Sequence, residues 1–146
     1  MSTAYASEVQ SEVERAVMLL DAYRASEMAH RRAADRAKSR EERETLLRKA
    51  HERARFARDL DTELSTLGAH SDPYELRACE REDGQSSWPR ADDDLPSLVA
   101  RTEMRVRSEI DRCLSAILPS ELHTLVERHA RAIGTRSVSG SVSPRR

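Results

Sequence analysis

Between Ser39 and Gly68 the chain sets Leu46, Ala50, Ala54, Ala57, Leu60, Leu64 and Leu67 at steps of three and four residues. Side chains at such steps share one face of an α-helix, whereas a strand would need strict alternation, so this segment can bury one stripe only as a helix. Its ends are marked too. Ser39 and Glu42 have the spacing of a capping box, and Gly68 is the residue type that closes a helix in the left-handed conformation. A lone amphipathic helix cannot cover its own stripe, so the rest of the chain must supply partner helices.

Three partners are predicted. The first runs from near Ser7, where Ser7 and Gln10 repeat the capping spacing, to about Ala37, with Val9, Val13, Ala16, Val17 and Leu20 as apolar positions. Its link to the helix that opens at Ser39 is so short that the two must be antiparallel neighbours. A later helix follows the acids Asp92 to Asp94, which favour a helix N-terminus, and carries Leu95, Val99, Val106, Ile110, Cys113 and Ile117. Pro119 breaks it and is expected as the first residue of the last helix, with Leu122, Leu125, Val126, His129 and Ile133 facing inward. Residues 69–96 differ: eight acids stand against three Arg, among Pro, Gly and Ser. This reads as a long crossover with a short helix from Tyr74 to Arg81. After Gly134, "TRSVSGSVSPRR" loses helical periodicity, and residues 135–146, like residues 1–6, are expected to be mobile. The expected fold is all-α: one four-helix-bundle domain over residues 1–134, with two antiparallel pairs joined by a crossover at about 69–96. That is a ferritin-like connection.

Composition narrows the class. Hydrophobic content is 38% and charged content 35%, with one Phe and one Trp, which suits a small bundle and not a sheet. Against 26 acids, 25 basic residues leave no excess for general nucleic-acid binding. All of those bases but Lys38 and Lys49 are Arg, which is most simply the codon habit of a high-GC genome. Cys79 and Cys113 stand apart, outside any C-x-x-C pattern, and are expected as reduced thiols in a cytoplasmic protein. No apolar run reaches membrane-spanning length and no secretion signal is visible, so a soluble protein is expected.

Chemistry is sparse. No glycine-rich phosphate loop is present. Asp92 to Asp94 lack the spacing of a calcium-binding loop, and Cys113 reads as a small core residue. The one suggestive pattern lies in "LLDAYRASEMAHRRAADR", where Glu27 and His30 follow Val13, Ala16, Leu20 and Tyr23 on the expected buried stripe. A three-residue step puts a carboxylate and an imidazole on one helix face, the arrangement that holds iron or manganese in ferritin-like bundles. Glu103 flanks the third stripe, His51 the second, and His129 lies on the fourth. A complete di-metal site wants about four carboxylates and two His, with the paired motif on two helices. Here the motif occurs once. The opposing expectation is that Glu27 bends to the edge and pairs with Arg31, while His30 and His129 are half-buried, hydrogen-bonded histidines.

Two stretches, "ERARFARDLDTELSTLG" and "LPSELHTLVERHARAI", resemble a bacterial ferritin-like family of unknown function, whose members are single-domain four-helix bundles of similar length. The shared features keep the family's order. They are "SEMAHRRAADRA" in an Ala-rich first helix, "RARFARDL" running on to Leu67 and Gly68, Trp88 in the crossover, the break at Leu118 and Pro119, and Leu125 to Arg128 in the last helix. The resemblance covers most of residues 12–133. It implies the fold, and it matches Glu27 and Glu103 to acidic positions of the pattern. The family's last helix usually continues through a Glu and a His; this chain has Ala132 at the first place and Ser137 near the second. The resemblance therefore implies architecture more than activity.

The expectation is a non-catalytic bundle, without a cofactor, acting as a homo-oligomer or on a protein partner, with neither nucleic acid nor membrane as target. The competing expectation is an iron- or manganese-binding oxidase-type protein using Glu27, His30, Glu103 and a histidine from His51 or His129. A third is a cargo protein docked through its C-terminal tail.

Overall fold

The structure, a computed structural model, describes residues 2–68 and 94–134, with side chains from Glu12 onward. Most of the expected crossover, its short helix at Tyr74 to Arg81, Cys79, Trp88 and the tail at 135–146 lie outside the described residues. Those described form four helices and no strand: α1 (Ser2–Asp35), α2 (Arg40–Thr66), α3 (Leu95–Ser115) and α4 (Ser120–Ile133). Among them, no helix is long and apolar enough to cross a membrane.

Local chemistry sets the helix ends. α1 begins at Ser2 and not near Ser7. Ala4, Ala6 and Glu8 are good helix formers with no Gly or Pro among them, so nothing in the sequence stops the helix earlier. At the start of α2, the Ser39 hydroxyl accepts the Glu42 N–H at 3.0 Å, while the Glu42 carboxylate accepts the Lys38 N–H at 3.3 Å. The box closes one residue further back than the usual pattern. Gly68, at φ +78°, and Gly134, at φ +88°, end α2 and α4 in the left-handed region that other residues rarely enter. Pro119 precedes α4 as its cap and does not sit in the first turn. α3 has already stopped at Ser115, because Ala116 is extended. That early stop also corrects the third stripe: Ile117, expected inside, is 90% exposed, and its N–H donates to Glu12 at 2.9 Å.

Around the bundle α1 packs on α2 and α3, and α4 packs on the other side of the same two helices. The diagonals are therefore α1 to α4 and α2 to α3. The main core joins Leu19, Leu20 and Tyr23 with Phe56, Leu60 and Leu64, then with Val106, Ile110, Leu122 and Val126. α1, flanked on two sides, buries Ala22, Ala25 and Ala29 as well as Val13, Ala16 and Leu20 of its expected stripe, while Val17 is half-buried. In α2 the stripe is Ala50, Arg53, Phe56, Ala57, Leu60 and Leu64. Ala54 and Leu46 are half-buried and Leu67 is 43% exposed, so the buried face sits to one side of the expected one. In α3 the buried set is Leu98, Thr102, Val106, Glu109, Ile110 and Cys113, with Leu95 and Val99 only half-buried.

Candidate functional site

Both diagonals are bridged by polar side chains. On the first, Arg53 of α2 is fully buried and reaches Glu103 of α3. Its Nη2 donates to Oε1 and Oε2 at 2.7 Å each, and its Nε donates to Oε1 at 3.1 Å. The remaining Nη1 donates to Glu52 at 2.6 Å. Guanidinium geometry matches a carboxylate fork, which makes this the strongest type of protein ion pair. The Ser26 hydroxyl of α1 adds a hydrogen bond to Glu103 at 3.0 Å. His30, one turn on, has Nδ1 2.7 Å from the Ser26 carbonyl, which can only accept, so Nδ1 carries the proton. Burial lowers the pKa of His30, against the opposing pull of the Ser26 carbonyl and Glu103. Burial would raise that of Glu103, but the charge and hydrogen bonds of Arg53 outweigh it and hold the carboxyl below its ordinary value.

On the second diagonal, Tyr23 of α1 meets His129 of α4, Oη to Nδ1, at 2.9 Å. Phe56 stacks on the imidazole, with centroids 4.1 Å apart and rings 18° from parallel. The other nitrogen, Nε2, lies 3.6 Å from a carboxylate oxygen of Asp59, beyond hydrogen-bond reach, and is buried without a hydrogen-bond partner. A lone pair aimed at a carboxylate would be repelled. The favoured tautomer thus has Tyr23 donating to Nδ1 and the Nε2 proton turned towards Asp59. Burial lowers the His129 pKa to about 4, with Asp59 opposing it. Burial likewise raises that of the Tyr23 phenol and pushes the Cys113 thiol up to about 12, so neither is a poised nucleophile. A third polar contact seals the seam between α1 and α3, where fully buried Asp21 accepts from Arg105 at 3.1 Å.

The five sequence candidates fall in different places. Glu27, expected on the buried stripe, turns to the edge and accepts from Arg31 Nε at 2.9 Å. Helical angle is not the reason: at about 100° per residue Glu27 falls between Tyr23 and fully buried Leu20 on the helix wheel, and its side chain leaves the stripe to pair with Arg31. His51 is exposed. His30 and Glu103 meet through Ser26, and His129 belongs to the other diagonal. Among the described residues no three His, Cys, Asp or Glu side chains are grouped as metal ligands. The donors present fit a dication poorly: both oxygens of Glu103 already face a guanidinium, and Glu27 has its own Arg. Arg53, Ser26 and Asp59 were not foreseen, and Tyr23 was expected on the buried stripe but not as the partner of His129. Arg53 alone had a legible signal, because Ala50, Arg53, Ala57, Leu60 and Leu64 keep a perfect alternation of three- and four-residue steps. Compared with family models, curated proteins and solved structures, the chain finds no match.

Proposed function

We propose that the chain is a bacterial, cytoplasmic, ferritin-like bundle without catalytic chemistry, acting by self-association or on a protein partner. The observation that carries this reading is the Arg53–Glu103 pair. A ferritin-like metal centre needs inward carboxylates with free oxygens, and Glu103, the carboxylate that meets α2 across this diagonal, already holds an internal cation. The pairing order favours the ferritin-like connection: Glu12, Asp21 and Ser26 along α1 meet Ile117, Arg105 and Glu103 in descending order, as helices running in opposite senses do.

Two measurements test the reading. Metal-stripped protein, titrated anaerobically with ferrous, manganous and zinc ions, is expected to show no saturable rise in melting temperature. A rise of several degrees, lost in both Glu27→Ala and Glu103→Ala, would overturn it, since a bound metal must stabilise the fold that holds it. Light scattering is expected to give a mass that is a multiple of the 16.5 kDa chain. A single-chain mass at every concentration would rule out self-association.

A further inference from the structure

Helix α4 is the shortest of the four described, at 14 residues, a length at which an isolated helix is marginal in water. Pro119, which precedes it, makes no side-chain capping hydrogen bond. Its hold on the bundle rests on its buried face, where Leu122, Leu125, Val126 and Ala130 are apolar and His129 is polar. His129 is also what ties α4 to α1 across the diagonal, through Tyr23. We propose that His129 is an acid-sensitive latch, whose protonation releases α4 from the other three helices.

The geometry gives the reason. A neutral imidazole suits this site better than a charged one: Nδ1 accepts from Tyr23, one face lies on Phe56, and Nε2, turned towards Asp59 at 3.6 Å, leaves one neutral N–H, and not a cation, without a hydrogen bond. An imidazolium donates from both nitrogens. Tyr23 must then turn its hydroxyl to accept, which leaves the phenolic proton facing the core. The charged and titratable groups around the ring do not compensate. From α2, Asp59 is attractive, but its side chain is 48% exposed and water screens it; Arg55, on the same helix, repels. From α4 itself Arg128 repels as well. From α1 comes the Tyr23 phenol; near it lie the Arg53–Glu52 pair of α2, whose charges offset each other, and the Cys113 thiol of α3, neutral with its pKa pushed up to about 12. Phe56 would attract a cation, yet Arg55 already lies 5.8 Å from that ring. A cation at His129 is better placed in water.

The sign follows. The latch holds fully above the ordinary histidine pKa of about 6.5 and weakens as pH falls from there towards about 4, because the released histidine binds the proton more tightly. For those two values the opening equilibrium at pH 5 should exceed that at pH 8 by about 30-fold. Amide hydrogen exchange of the full chain at the two pH values, corrected for intrinsic rates, reads this directly. Amides of Leu122 to Ala130 are expected to lose about 30-fold in protection at pH 5, while those in the middle of α1 and α2 lose much less. In Tyr23→Phe/His129→Leu, which removes the polar pair and keeps most of its volume, the pH-dependent loss in α4 should disappear. If that variant does not fold, His129→Gln, neutral at both pH values, replaces it. Unchanged α4 protection in the natural chain overturns the proposal. So does an equal loss across all four helices, or the same loss in the variant.

Discussion

Arg53→Met is expected to cost about 3–5 kcal/mol, the range for removing one partner of a buried ion pair. The Glu103 side chain, only 17% exposed, would keep the Ser26 hydrogen bond but lose every cation-donated one. The loss should depend on pH. In the natural chain the Glu103 carboxyl has a lowered pKa, so its contribution is present above the unfolded-state value and fades as pH falls through the folded-state value. In the variant the same carboxyl is buried without its cation and gains stability by taking up a proton. The gap between the two proteins, measured by urea unfolding, should therefore be wide at pH 7 and narrow towards pH 4. Adding Glu103→Leu to Arg53→Met should restore most of the stability, because buried pairs replaced by apolar side chains are often neutral or better. A single substitution costing under about 1 kcal/mol, with no pH dependence, would mean that water solvates Glu103 in place of Arg53.

Leu60→Ala should cost about 2–5 kcal/mol through lost burial and the cavity left behind. Leu60 is fully buried in the main core, on the α2 face turned to α1 and α4. The cost should exceed that of Leu67→Ala, since Leu67 is 43% exposed although the sequence sets both on one stripe. Equal changes, or a Leu60 change under about 0.5 kcal/mol, would place the buried face elsewhere. The two sites, Arg53 and Leu60, lie two turns apart on one helix and report different physics. One measures charge desolvation and the other packing.

Local rules made much of the architecture legible. Ser39 and Glu42 cap α2 where their spacing says they should, Gly68 and Gly134 stop helices because their φ is positive, and the break before Pro119 separates α3 from α4. Each of these depends on residues within a turn of one another. The candidate site was legible only as a set of faces. His30 and His129 were expected inside and are buried, and Glu103 flanks its stripe as expected. Helical period states which side of a helix a residue occupies. It does not state whether a long side chain on the boundary turns inward or outward.

The sequence by itself determined the helices, several of their ends and part of the apolar core, including Leu20, Leu60, Leu64, Val106, Ile110, Leu122 and Val126, because those follow from spacing, capping and backbone chemistry. The sequence offered Glu27 two places, inward or paired with Arg31, and set Arg53 at stripe spacing on a helix rich in solvated charges; only the tertiary structure decided between the first two and gave Arg53 a partner at the centre. The same holds for the two diagonals. Arg53 meets Glu103 across 50 positions and Tyr23 meets His129 across 106. A buried charge or imidazole must find its partner on another helix, and which one it finds depends on how four helices are packed, a relation that no local pattern contains.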